Sequence, residues 1–95
     1  MKINKEQIDT FIKAIKLSVV SGSLDVLRKG QLLCCVLNNT FPELAKTVWQ
    51  KPYDSFYLDE RIPAFIEAIC DEEALQEWYS NEFVIKNFTN EKRNS

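Results

Sequence analysis

Ile8, Phe11, Ile12, Ile15 and Val19 recur at helical spacing, and this stripe predicts an amphipathic helix near the start of the chain. Asn4 stands before it as a cap. Gln7 lies three residues on, where its side chain can reach back in a variant of the capping box. Ile3 and Ile8 occupy the two staple positions around that cap. Lys13 and Lys16 fall off the stripe, and Ser21-Gly22 supplies the stop. Ser23 can cap a short turn carrying Leu24 and Leu27, interrupted by Gly30. "QLLCCVLNN" is apolar almost all round, which predicts a buried helix of about two turns ending near Asn38-Asn39.

Thr40, Pro42 and Glu43 then read as a second cap signal, with Glu43 at the capping-box position and Pro42 in the first turn. Leu44, Val48 and Trp49 are expected to form the inner face of that helix, and Lys51-Pro52 to stop it. Ile62, Phe65, Ile66 and Ile69 repeat the helical pattern, with the start at Asp59 or Ile62 and Pro63 in the first turn. Asp71 caps a further helix, and Glu72-Glu73 suits the positive end of its dipole. Leu75, Trp78 and Tyr79 point inward or sideways. "EFVIKNF" fits either a continuation of that helix or a short strand. The expected fold is an all-α, compact single-domain bundle of about five short helices over residues 1–88, with a polar tail over 89–95.

Composition narrows the chemistry. A chain of 95 residues has room for one modest core. No apolar run approaches bilayer length, so no membrane association is expected. "MKINKEQIDTF" lacks the apolar segment of a secretory signal, so a cytoplasmic protein is expected. Cys34, Cys35 and Cys70 lie in apolar runs and read as packed thiols. There is no histidine, no Cys-x-x-Cys pair and no glycine-rich phosphate loop. The usual nucleophile–base pairs, a zinc site and a nucleotide cradle are therefore not expected, and no catalytic residue, metal or cofactor is assigned.

Charge is unevenly spread. Residues 1–51 hold eight Lys/Arg against four Asp/Glu, and residues 52–95 hold four against ten. Nine carboxylates and one base, Arg61, fall between Asp54 and Glu82. Such a split fits a solvated face that maintains solubility, or a docking surface for a basic partner protein. Direct nucleic-acid binding fits poorly, because the basic residues are scattered and the total charge is negative. A DNA-associated or transcription-related role is the alternative reading, and the apolar Gly30–Asn39 helix counts against it as a recognition helix.

The stretch "KPYDSFYLDERIP" concentrates three aromatics and three carboxylates. It can be a folding corner, a partner-binding loop, or both if Tyr53 points outward, and the carboxylates Asp54, Asp59 and Glu60 could also hold a divalent metal or act as acid and base. As a corner, Phe56, with Tyr57 beside it, would plug between the buried helix and the Ile62–Ile69 helix, and Asp54 and Asp59 would satisfy backbone N–H groups at the turn and the helix start. As a binding loop, Tyr53, Asp54 and Tyr57 would share a surface with Glu67, Glu73 and Glu77, which helical spacing leaves off the apolar stripes. Gly30-Gln31, Pro42, Asp54-Ser55-Phe56-Tyr57-x-Asp59 and Ile62-Pro63-x-Phe65 resemble a pattern of small uncharacterised proteins of bacteria and their phages. The likeness spans Arg28 to Ile69, and Leu37-Asn38 departs from the Asn-x-Leu spacing of that pattern. It implies a phage or mobile-element accessory protein and carries no activity with it. Taken with the acidic second half, the expected role is binding a protein partner with a basic surface, as an immunity protein or an inhibitor of a host enzyme would.

Overall fold

The computed structural model describes residues 1–89, and the tail expectation beyond Thr89 lies outside them. Among the described residues six α-helices follow one another: α1 Lys5–Val20, α2 Lys29–Thr40, α3 Pro42–Val48, α4 Ile62–Ile69, α5 Glu72–Ser80 and α6 Glu82–Phe88. Short 3-10 turns cover Ser23–Asp25 and Asp59–Arg61. The radius of gyration is 12.3 Å, close to the roughly 12 Å of a globular chain this long, so one core serves the whole unit. No described helix is long and apolar enough to cross a membrane.

The N-terminal reading holds in detail. Gln7 N–H donates to Asn4 Oδ1 at 2.9 Å, and Asn4 N–H donates back to Gln7 Oε1 at 3.0 Å. Ile8, Phe11, Ile12 and Ile15 are buried, and Ile3 joins them. Ile3 also forms an isolated parallel bridge to Cys70: its N–H donates to the Ile69 carbonyl at 2.7 Å, and its carbonyl accepts from Asp71 N–H at 2.9 Å. Gly22 takes a φ of +93°, a left-handed stop that a side chain would strain. α1 lies against both α2 and α5, while α2 packs on α3 and α3 on α4.

Four expectations change. α2 is a 12-residue helix that takes in Gly30 and Thr40, longer than two turns, and Cys34 and Cys35 are only half-buried. Thr40 does not cap α3. It sits in the last turn of α2 with its hydroxyl donating to the Val36 carbonyl, and Phe41 precedes Pro42 without a side-chain cap. Trp49 is not part of an inner face: α3 ends at Val48, before Lys51-Pro52, and Trp49 projects outward. "EFVIKNF" is a sixth, separate helix, because Asn81 accepts from Val84 N–H and starts a new turn. Asp71 caps α5 as expected, accepting from Ala74 N–H at 2.9 Å.

Candidate binding corner

Residues 49–61 cross from α3 to α4 as an irregular corner whose shape is set by polar side chains. Gln50 turns the chain in a left-handed conformation, with φ of +61°. Asp54 then holds both sides of the bend. Its Oδ2 accepts from Gln50 N–H at 2.8 Å, and its Oδ1 accepts from Phe56 N–H at 3.0 Å and from the Cys34 thiol at 3.3 Å. The expectation that Asp54 satisfies backbone N–H groups is thus met.

Ser55 is fully buried. Its hydroxyl donates to the Gly30 carbonyl at 3.1 Å. A Cβ at residue 30 would collide with the Ser55 carbonyl oxygen, so glycine is required for this close approach. Asp59 was expected to cap its own helix. It instead accepts from Gly30 N–H at 2.9 Å, capping the first turn of α2 from across the fold, and lies 3.5 Å from Arg28. Arg28 in turn donates to the Phe56 carbonyl at 2.8 Å. The Gly-Gln and Asp-Ser-Phe-Tyr-x-Asp parts of the pattern, distant in sequence, are therefore two sides of one joint.

The aromatics divide differently from expectation. Phe56 does not plug the core; it is half-buried and stacks edge-on between Trp49, at 6.4 Å between ring centroids, and Tyr57, at 4.8 Å. Tyr53 does not point outward but packs half-buried against the core. Trp49 and Tyr57 are the exposed rings, 62% and 77% accessible. Together with Phe56 they form a short aromatic ridge on the surface.

Behind Trp49 opens a pocket of about 260 Å³ whose walls include Leu37, Ala45, Val48, Cys34 and Asp54. The Cys34 thiol is pushed up to about 12 by burial, with Asp54 adding to the effect, so at neutral pH it stays a protonated donor. No group of His, Cys, Asp and Glu that could hold a metal ion occurs among the described residues. A wider cleft of about 970 Å³ lies beside the 3-10 turns and the ends of α5 and α6. Its walls carry both signs, Asp25, Asp59 and Glu60 against Arg28 and Lys29, so no ligand charge is favoured there.

The other sequence candidates lie on separate elements. Glu67 is exposed on α4, and Glu73 and Glu77 stand one turn apart on α5, exposed and half-buried respectively. The residue missed was Trp49. Five positions beyond Leu44, it lies off the Leu44–Val48 stripe, and that spacing was the available signal. No family model, curated protein or solved structure matches the chain.

Proposed function

We propose that this chain is a small non-catalytic protein-binding module, an accessory protein of a phage or mobile element that inhibits or neutralises a host enzyme or toxin. The observation that carries the reading is the exposed Trp49–Phe56–Tyr57 ridge, mounted on a corner fixed by hydrogen bonds. Trp and Tyr dominate the energetics of protein interfaces, and a rigid mount lowers the entropy lost on docking. The carboxylates of α4 and α5, Glu67, Glu73 and Glu77, act at longer range and steer a basic partner toward the ridge.

The test is capture from a bacterial lysate with matched baits, wild type and a Trp49→Ala/Tyr57→Ala double variant. A partner retained by wild type and lost from the folded double variant is the expected result. Equal retention would remove the ridge from the interface. With the partner in hand, Glu73→Lys/Glu77→Lys should slow association without changing the melting temperature. The wild-type association rate should also fall as added salt shortens the Debye length from about 10 Å to about 3 Å.

A further inference from the structure

The pocket behind Trp49 narrows the partner's chemistry. Its volume, about 260 Å³, falls just below the roughly 300–1,000 Å³ of sites that enclose whole small ligands, and suits one inserted side chain. Three parts of its wall bear on the fit, beside Phe65, Asn38 and the two half-buried thiols. Leu37, Ala45 and Val48 are aliphatic, Trp49 offers an accessible indole, and Asp54 supplies a carboxylate. Among the described residues, Asp54 Oδ2 accepts a single hydrogen bond, from Gln50, so it keeps accepting capacity toward a newcomer. Lys46 also lines the pocket, with its exposed ammonium 3.5 Å from Glu43, and among the described residues Asp54 has no ion pair.

We infer that this pocket receives an arginine side chain from the partner polypeptide, a conclusion that rests on the docking role proposed for the corner. An arginine matches all three walls at once. Its methylene stem lies along aliphatic surface, its planar guanidinium stacks on an indole, and its fork of N–H donors pairs with a carboxylate. A lysine matches the stem and the charge but not the planar stacking. A purely aliphatic side chain leaves the Asp54 carboxylate less solvated and unpaired.

The test is an NMR titration of the isotopically labelled full chain with arginine amide, lysine amide and norleucine amide, each as a separate probe. Arginine amide should shift the Trp49 indole N–H and the Gln50 and Phe56 amides in a saturable way, and more tightly than either other probe. Trp49→Ala should weaken arginine amide binding by about 2- to 30-fold, the span of cation–π contributions. Asp54→Asn should weaken it too. Because that change can also loosen the corner, the exposed Trp49 variant serves as the independent control. Norleucine amide binding as tightly as arginine amide would overturn the arginine assignment while leaving an apolar docking site intact. No shift with any probe would close the pocket to side chains and overturn the inference, and the fate of the docking role would still be read from the Trp49/Tyr57 capture comparison.

Discussion

Two aromatic runs cross this small protein, one inside and one outside. Inside, Trp78 stands 6.1 Å from Phe11 and 6.0 Å from Phe88, and Phe88 stands 6.1 Å from Phe83. This run joins α1, α5 and α6, and Trp78 and Phe11 are among the largest fully buried side chains. Outside, Trp49, Phe56 and Tyr57 form the corner ridge. The residue types and ring spacings are alike, but their supports differ. The inner rings ride on helices whose apolar stripes face each other, so burial itself orients them. The outer rings are carried by irregular backbone held by Asp54, Ser55 and Asp59. The inner run is thus a source of stability, and the outer run is a surface that stability elsewhere holds in place.

The sharpest separation of the two runs is by truncation. Trp78→Ala should cost about 3–5 kcal/mol in denaturant unfolding, much of what a domain of this size has. A loss below about 1 kcal/mol would show that the inner ring is not a packing anchor. Phe56→Ala, at a half-buried site, should cost clearly less than Trp78→Ala. Next in size is the joint beneath the ridge. Gly30→Ala forces a methyl group against the Ser55 carbonyl, and should destabilise by about 1–3 kcal/mol. It should also displace the Gln50 and Phe56 amide resonances. An unshifted corner in a folded Gly30→Ala protein would break the link between α2 and the ridge.

Alkaline titration probes one thiol in each region. Burial raises both Cys34, at the corner, and Cys70, in the core, from 9.0 to about 12. The folded chain therefore keeps these protons to higher pH than the unfolded chain does. Their share of stability is complete below about pH 9 and fades as pH climbs toward 12. Unfolding midpoints measured across that window should fall, and Cys70→Ala should flatten part of the decline. The smallest effects belong to the exposed run. Trp49→Ala should move stability by no more than about 0.5 kcal/mol. Gln50→Gly should raise it by up to about 1 kcal/mol, by relieving the left-handed backbone. Calorimetry distinguishes these from the larger losses above.

The inner run was legible from sequence where periodicity governs it, in α1 and α5, whereas Phe83 and Phe88 ride on α6, which the sequence left open between a continuation of α5 and a strand. The Ile8–Ile15 stripe, the Ile62–Ile69 stripe and the Asn4 and Asp71 caps all depend on neighbours within four residues. The corner was legible only in part. Asp54 acts locally and was placed correctly, whereas Asp59 acts on Gly30, 29 residues away. Trp49's outward turn was readable from its spacing beyond Leu44, whereas the positions of Tyr53 and Phe56 depend on the Ser55–Gly30 contact, and no local spacing encodes that. Glu67 and Glu73 were legible as outward positions because helix phase decides them, whereas Glu77 is half-buried.

The bridge between Ile3 and Cys70 imposes an order on events in the cell. Synthesis runs from the N-terminus, and α1 leaves the ribosome with its capping box able to close at once. Ile3, however, finds the Ile69 carbonyl and the Asp71 N–H only after most of the chain has been made. Until then α2 can pack on α1, but Ile3 has no backbone partner. A pause in translation at any point before the Ile69–Asp71 segment clears the ribosome would prolong that wait.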